Sequence, residues 1–452
     1  MTTARPFDRD EIWLVVGAGS AGCVVASRLS EDPHRQVTLL EAGPDLTADS
    51  VPAAISGPNF IAALDEAGRT FETLTARRAG GTFPRNYARG RGVGGSSAVN
   101  AMLGLRGDPA IYRRWGWGDA DDAWARVRTP LERPDVDELG PVDRALLAAD
   151  ARTEIASLTR VRGQRVTASE AYLWPTVERD NLTVRANTAV ASIAADAGVA
   201  IGVVLEDGTH LAADRVVLCA GAIHSPWLLR RSALGSAEVG TGLQDHPSAP
   251  LTLRFRAGVD QDVAGLAIGT LLQHRTPGGA LVQLLPMNHL GSSPETAGLG
   301  LLMVALMTPH SDAGTVRHEP GAPNPTVDFA LLDDERDIEP LVAGVRLARD
   351  LLTTSAFDEV VEAVYIDAFG TTADALTDDQ VIASWLRANC GDYVHASSSC
   401  RMGRVVDRDG WVDGVEGLAV CDASVFPSIP DVNTHLPTTM LAEMLVARWR
   451  QR

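Results

Sequence analysis

A glycine-rich turn between an apolar run and a helix-forming run constrains the fold most strongly. Residues 12–16 read I-W-L-V-V, and residues 17–22 then read G-A-G-S-A-G. A short apolar run of this kind is typical of a buried parallel strand. Residues 23–32 continue as a helix, and a second strand, residues 37–40, ends at Glu41. This order of strand, turn, helix and strand predicts a βαβ nucleotide-binding unit.

Each residue of the turn has a physical role in binding a dinucleotide. Gly17 allows the tight turn, Gly19 lets the backbone approach a pyrophosphate, and Gly22 permits close packing of the helix on the strand. The helix N-terminus presents free N–H groups to phosphate, and Glu41 can accept hydrogen bonds from a ribose diol. The motif leaves FAD and NAD as alternatives. The candidate cofactor-binding residues of this unit are Gly17, Gly19, Ser20, Ala21, Gly22 and Glu41.

Length and charge exclude several classes of protein. A chain of 452 residues exceeds what a single core usually serves, so we expect two lobes. The net charge is −18, and no basic cluster interrupts the acidic chain, which disfavours nucleic acid as a partner. All 40 basic residues are arginine, which excludes a Schiff-base lysine and the lysine of a P-loop.

Cysteine usage and hydropathy predict a cytoplasmic protein. The five cysteines are scattered and form no C-x-x-C pair, so neither a zinc site nor a disulfide framework is indicated. Residues 1–10 are polar and carry no apolar signal core. The longest apolar runs, such as residues 299–307, are too short to span a bilayer. We expect no integral membrane span, while peripheral contact with a membrane is left open.

A second segment of small residues, 89–102, reads R-G-R-G-V-G-G-S-S-A-V-N-A-M. Small residues let the backbone lie flat against a large ligand, and Asn100 offers both a donor and an acceptor. A flexible glycine linker is the alternative, but it explains poorly why Val93, Val99 and Met102 interleave with the glycines. The candidate cofactor-binding residues here are Arg89, Val93, Gly95, Ser96 and Asn100.

Four further motifs complete the pattern. They are V-V-L-C-A-G-A-I-H-S-P-W-L-L at 216–229, G-L-Q-D-H-P at 242–247, H-A-S-S-S-C-R-M-G at 395–403 and D-A-S-V-F-P-S-I-P-D-V-N-T-H-L-P-T at 422–438. Together with the two glycine-rich segments, and in this order, they resemble the glucose-methanol-choline (GMC) family of FAD-dependent oxidoreductases nearly from end to end.

The resemblance implies an α/β chain, α+β overall. A Rossmann-like FAD-binding domain made of discontinuous segments would carry an antiparallel-sheet substrate-binding domain. The sequence adds a central strand at 215–222, a strand pair at 182–190 and 200–205, and a strand-rich block at 251–256, 266–273, 281–285 and 299–306. We expect FAD-binding segments at 1–106, 169–248 and 386–452, a shortened lid segment at 107–168 and a substrate-binding domain at 249–385.

His395 lies in D-Y-V-H-A-S-S-S-C-R-M-G, residues 392–403. From the residues alone it could be a general base, a metal ligand, the partner of a nucleophilic Cys400, or a surface histidine. The family resemblance implies that His395 is the catalytic base facing flavin N5. It also implies a second His or Asn some forty residues later, which we assign to His435 in N-T-H-L-P-T. An imidazole whose pKa is near the working pH suits the proton of an alcohol, and we assign no metal ligand.

The cofactor implied by the resemblance is FAD. Some members attach it to a histidine just before the motif asparagine; Val99 stands there, so we expect noncovalent FAD. Val190, Asp422 and Ala423 are further candidate cofactor-binding residues, whereas His246 in Q-D-H-P is expected to support structure.

The activity that the resemblance implies is oxidation of an alcohol CH–OH group to a carbonyl, by hydride transfer to flavin N5. The partner is then a small-molecule alcohol, as in choline dehydrogenase-like members, and the electron acceptor could be oxygen, a quinone or a respiratory component. The compact segment 107–168 resembles a short actinobacterial branch associated with mycofactocin. An electron shuttle that oxidises reduced mycofactocin toward a respiratory acceptor is therefore one alternative. A hydroxynitrile lyase, which keeps FAD without net redox, is another.

Overall fold

The computed structural model describes residues 10–79 and 83–450. Residues 1–9, which carry most of the polar N-terminus that we interpret as free of a targeting signal, lie outside the described residues. In the described ranges, no helix is long and apolar enough to cross a membrane.

The nucleotide-binding half is built on a parallel sheet. Its five strands, in spatial order, are Leu418–Val420, Arg215–Leu218, Glu11–Val16, Arg35–Leu40 and Leu182–Arg185. The apolar run Glu11–Val16 is central, pairing in parallel with Arg215–Leu218 on one side and with Arg35–Leu40 on the other. Because the strands come from widely separated stretches of the chain, this half is discontinuous. The Rossmann-like part of the predicted fold is confirmed.

Two helices pack together beside this sheet. The nucleotide helix, Ser20–Leu29, follows the glycine-rich turn, and the C-terminal helix, His435–Trp449, ends the described chain. Arg28 donates two hydrogen bonds, of 2.9 and 2.8 Å, to the carboxylate of Glu443, which is almost completely buried. A bidentate arginine–carboxylate pair fixes geometry as well as charge, so the two helices are held in one relative orientation.

The strand pair expected at 182–190 and 200–205 is wrong in its first member. Residues Leu182–Arg185 are the fifth strand of the parallel sheet. The chain then turns at Asn187, whose φ is +51°, and Val190–Asp196 begins a separate three-stranded antiparallel sheet with Val199–Leu205 and His210–Ala212. A left-handed residue interrupts extended backbone, which divides the expected strand.

The substrate half is built on an antiparallel sheet of six strands. In spatial order they are Val361–Tyr365, Ser248–Phe255, Leu299–Leu306, Leu281–Met287, Thr270–Arg275 and Glu154–Ile155. The amphipathic helix Ile338–Leu352 packs against the two middle strands. The strand predicted at 266–273 begins only at Thr270. The antiparallel part of the predicted fold is confirmed.

Shorter elements connect the two halves. A mixed five-stranded sheet contains Thr241–Leu243, Gly314–Arg317, Thr326–Leu331, Thr75–Ala79 and Arg85–Asn86, and a hairpin contains Arg160–Val161 and Gln164–Arg165. The remaining α-helices are Ala53–Ser56, Phe60–Leu64, Pro109–Arg114, Ala120–Arg126, Pro141–Ala149, Gly221–Arg231, Ser355–Asp358 and Asp379–Asn389.

The compact segment 107–168 is packed onto the C-terminal part of the chain. The ring of Trp115 stacks on Phe426 with centroids 5.5 Å apart, and its indole N–H donates to Ser428 at 3.1 Å. Trp117 lies 4.8 Å from Trp115 and is buried. These contacts bury one side of the segment instead of letting it project over the molecule.

Candidate active site

One cavity of about 630 Å³ joins the nucleotide turn, the small-residue segment and both motif histidines. The predicted site residues that line it are Gly17, Gly19, Ser20, Glu41, Arg89, Gly95, Ser96, Asn100, Val190, His395, Asp422, Ala423 and His435. Three predicted cofactor residues, Ala21, Gly22 and Val93, are instead buried behind its wall. The side chains of Ala21 and Val93 pack in the apolar core, so they shape the wall without facing the cavity.

The nucleotide turn leaves room for nothing larger than glycine at two positions. Gly17 has a φ of +100°, and a Cβ there would come within 2.6 Å of the Cys219 carbonyl oxygen. A Cβ at Gly22 would lie 1.8 Å from the carbonyl oxygen of Gly17. At Gly19, in contrast, the nearest atom to an added Cβ is 3.9 Å away, so a ligand can approach this backbone closely.

Glu41 connects the two glycine-rich segments. One carboxylate oxygen accepts from the backbone N–H of Ala18 at 2.8 Å, and the other accepts from Gly43 and Gly92 at 2.9 Å each. Since these bonds come from both segments, the carboxylate holds the cavity wall together. The expected bond from Glu41 to a ribose stays a prediction.

His435 stands where two helix N-termini meet. Its Nδ1 lies 2.9 Å from the hydroxyl of Ser20, so the first residues of the nucleotide helix and of the C-terminal helix touch. Its Nε2 is buried without a hydrogen-bond partner among the described residues. Burial and the positive charge of Arg165 lower the pKa of His435 to about 4. A neutral imidazole and two helix N-termini suit the negatively charged part of a ligand.

The side chain that reaches His395 is Asn433. The Asn433 amide nitrogen lies 3.3 Å from Nε2 of His395, and its amide oxygen is buried without a partner among the described residues. Both side chains line the cavity. The expected pairing of His395 with His435 is therefore not the pairing that the structure brings together. The sequence did contain the signal, because an asparagine two residues before His435 meets the same requirement for a second His or Asn.

A hydrogen-bond chain behind His395 determines which of its nitrogens carries the proton. Nε2 of His246 lies 2.9 Å from the Pro430 carbonyl oxygen, which can only accept, so this nitrogen donates. In the neutral ring, Nδ1 of His246 is then an acceptor, and it lies 2.9 Å from Nδ1 of His395. His395 must donate from Nδ1. Its Nε2, to which the Asn433 amide donates, consequently carries the lone pair that a general base needs.

The pKa values of both rings favour this neutral arrangement. Burial lowers the pKa of His246 to about 3. Burial, the neighbouring His246 ring and the positive charge of Arg89 hold the pKa of His395 well below its ordinary value. The sequence leads us to expect a base whose pKa is near the working pH, but the pKa of His395 in the structure is lower. His395 is ready to accept a proton at every pH above the acid range.

Asp245 holds the backbone of the His395 loop. Its carboxylate accepts from the N–H groups of Tyr393 at 3.1 Å and of His395 at 2.9 Å, and from the hydroxyl of Tyr87 at 2.9 Å. Burial and the nearby Asp392 raise the pKa of Asp245 to about 7. The three hydrogen-bond donors act in the opposite direction, because they stabilise the charged carboxylate. The Q-D-H-P motif therefore positions both the backbone and the ring of His395, a function that sequence reasoning described only as structural support.

The other interpretations of His395 find little support in this geometry. Cys400 is fully buried away from the cavity lining, and burial raises the pKa of its thiol, so it is poorly suited to act as a nucleophile. Asp245, His246 and His395 do bring ligand-type atoms within 4.8 Å of one another. However, the hydrogen bonds described above already occupy those of Asp245 and His246.

Three family models match the chain. Two are described as GMC oxidoreductase and match residues 150–248 and 309–442, which together make up more than half of the chain. The third, a NAD(P)-binding Rossmann-like domain, matches residues 15–81.

Curated relatives match over nearly their full length. A 5-(hydroxymethyl)furfural oxidase from Methylovorus sp. (strain MP688) is 29% identical, with 96% of this chain and 97% of the relative covered. An oxygen-dependent choline dehydrogenase from Chromohalobacter salexigens is 27% identical, with coverages of 100% and 96%.

Solved structures share the fold. A pyridoxine 4-oxidase from Mesorbium loti superposes with a TM-score of 0.86 at 24% identity, covering 98% of this chain and all of the other. A formate oxidase superposes with a TM-score of 0.83 at 20% identity, covering 98% of this chain and 99% of the other.

Proposed function

Because the chain belongs to the GMC oxidoreductase family, we propose that its cavity binds FAD noncovalently and oxidises the CH–OH group of a small alcohol to a carbonyl. One observation carries the proposal. A single cavity extends from the glycine turn of a dinucleotide-binding unit to the nitrogen of His395 that carries the lone pair.

The described residues fit FAD. The glycine turn and the meeting helix N-termini would hold its pyrophosphate and other negatively charged groups. Glu41 would accept a hydrogen bond from a ribose, and Nε2 of His435, which has no partner among the described residues, would form a hydrogen bond to the cofactor. Val99 lies on the cavity wall and has no atom that could form a link to the cofactor. When bound, FAD supplies the hydride acceptor. We assign residues 1–106, 169–248 and 386–452 to this cofactor half, and 249–385 to the substrate half.

His395 and Asn433 act on the oxygen of the alcohol. The lone pair on Nε2 of His395 takes the hydroxyl proton while the carbon loses a hydride, so the alcohol leaves as a carbonyl. The Asn433 amide, now 3.3 Å from Nε2, donates to the same oxygen and fixes its orientation. The positive charge of Arg89, which also lines the cavity, favours the developing alkoxide.

Two alternative functions differ from this proposal in the molecule that reacts at the cavity and in the electron acceptor. The compact segment 107–168 resembles that of a short branch associated with mycofactocin, which is the basis for the alternative of an electron shuttle that oxidises reduced mycofactocin. A hydroxynitrile lyase would use the same base without net redox.

The proposal is tested by mixing the purified holoenzyme anaerobically with a panel of alcohols and following the flavin absorbance. Bleaching by an alcohol, lost in His395→Ala while FAD remains bound, supports the proposal. A flavin that no alcohol in the panel bleaches would contradict it, and cleavage of a hydroxynitrile without bleaching would favour the lyase. Reoxidation of the bleached enzyme by oxygen, a quinone or a dye then identifies the class of acceptor.

A further inference from the structure

The wall of the cavity on the side of the six-stranded sheet is apolar and rich in sulfur. Its side chains come from the strands of that sheet, the loop before Thr270 and the residues that follow Asn100. They are Met102, Leu103, Ile268, Leu285, Met287 and Met303. These six belong to, or pack against, one hydrophobic cluster that is separate from the main core. Methionine is flexible and polarisable, so this wall adapts to flat or irregular apolar groups.

No carboxylate without hydrogen-bond partners faces this wall from the described residues that line the cavity. Near His395, Asp392 forms a buried ion pair with Arg78, and Arg89 donates to the carbonyl of Val394. The remaining charged residues of the lining are bonded within the cofactor half or the small sheet beside it. They are Glu41, Arg91, Glu206 and Asp422. A cationic group on a substrate would therefore lose its hydration without gaining a free carboxylate as counter-charge, which is expensive.

One polar group interrupts the apolar wall. Tyr393 is 8% exposed, lines the cavity and belongs to the same hydrophobic cluster. Its ring stands perpendicular to that of His395, with centroids 4.9 Å apart, so it adjoins the reacting end. Its hydroxyl is buried and has no hydrogen-bond partner among the described residues. A buried, unpaired hydroxyl is costly, and that cost is removed when a ligand supplies an acceptor.

We propose that the substrate is an alcohol with a flat apolar body, no cationic group and one hydrogen-bond acceptor, and that the Tyr393 hydroxyl recognises this acceptor. The inference rests on the proposed function, because it concerns the alcohol that His395 deprotonates. A protein with this substrate preference would differ from enzymes whose alcohol substrates carry a permanent positive charge. Tyr393 acts here on specificity, and the proton chemistry stays with His395.

The charge of the substrate is tested with matched probes. Choline is compared with 3,3-dimethylbutan-1-ol, its neutral carbon analogue. We expect kcat/KM for the neutral probe to exceed that of choline by at least about 100-fold, since desolvation of an unpaired positive charge dominates. A charged probe that equals or exceeds its neutral analogue would overturn the proposal. If no probe bleaches the flavin, the proposed function itself fails, which is a different result.

The role of Tyr393 is tested with isosteric alcohols. Each pyridylmethanol has the shape of benzyl alcohol but carries a ring nitrogen that accepts a hydrogen bond. We expect at least one isomer to exceed benzyl alcohol in kcat/KM by about 3- to 10-fold, the effect of one neutral hydrogen bond. In Tyr393→Phe this ratio should fall to about 1. Equal ratios in Tyr393→Phe and the wild type would overturn the assignment.

Two further variants keep this test decisive. Tyr365→Phe removes a tyrosine hydroxyl from an outer strand of the same sheet, outside the cavity lining, and should leave the ratio unchanged. Met303→Glu places a carboxylate on the apolar wall at a half-buried position, and should shift the preference toward choline by at least about 10-fold. A preference that Met303→Glu leaves unaltered would place the body of the substrate elsewhere.

Discussion

Replacing His246 by alanine should slow flavin reduction without removing the base itself. The ring of His246 accepts from Nδ1 of His395 at 2.9 Å, and that bond keeps the lone pair of His395 on Nε2, facing Asn433. In His246→Ala the Nδ1–H is left buried without an acceptor, or the proton moves to Nε2 and the base is lost. An unsatisfied buried donor costs about 1–3 kcal/mol, which corresponds to a rate loss of roughly 5- to 150-fold.

Asparagine at position 246 is the matched control. Its amide oxygen can occupy the place of Nδ1 and accept from His395, so His246→Asn should retain the rate to within about 5-fold. His395→Ala should lose roughly 10²- to 10⁴-fold, because it removes the general base altogether. The ordering of the three variants separates an acceptor role from simple packing, provided that FAD content and melting temperature are measured for each.

The assay is anaerobic stopped-flow reduction of bound FAD by a good alcohol across pH. The neutral ring of His395 is competent above its pKa, and burial and the His246 ring both hold that pKa low. His246→Ala removes the second of these causes, so the acidic limb of the profile should move to higher pH. The reasoning is refuted if His246→Ala reduces flavin at the wild-type rate with an unmoved limb, or if His246→Asn is as slow as His246→Ala.

Four other outcomes follow from the site. In the wild type, flavin reduction should stay level as pH falls through the ordinary imidazole pKa of about 6.5, because the pKa of His395 is depressed; a half-loss of rate near that value would contradict the burial of the ring. Asn433→Ala should lower the reduction rate by roughly 10- to 150-fold with FAD retained, since it removes a hydrogen bond to an oxygen that gains charge, and His435→Ala should be milder in this assay; the reverse order would return the role to His435. Glu41→Gln should weaken FAD binding by a similar factor in a titration of the apoprotein, and an unchanged affinity would show that its backbone bonds suffice. Acid precipitation should release all yellow colour into the supernatant, because Val99 cannot form a bond to FAD; flavin in the pellet would reveal another attachment.

Local constraints explain what could be predicted from the sequence. The turn at Gly17 and Gly22 has steric requirements that only glycine meets, so its function can be inferred from six consecutive residues. The apolar strands of both sheets also follow from local pattern. The break of the strand at Asn187 could not be predicted in this way, because a single left-handed residue hardly changes the hydrophobic periodicity.

Long-range geometry explains what could not be predicted. Two candidate residues, Asn433 and His435, stand two positions apart, and the C-terminal helix begins at the second of them. The direction of each side chain depends on where that helix starts, which the sequence leaves uncertain by about one or two residues. His246 and His395 are 149 positions apart, and no local sequence pattern at either histidine predicts their contact.

The bond between Ser20 and His435 joins residues 415 positions apart, and it sets the order of events during synthesis. A ribosome that adds about 5–20 residues per second needs roughly 20–80 s to pass from the first of these residues to the second. Throughout that interval the nucleotide helix lacks the C-terminal helix against which it packs, and Arg28 lacks Glu443. The part of the cavity wall that Ser20 and His435 share can therefore form only after the helix His435–Trp449 has left the exit tunnel.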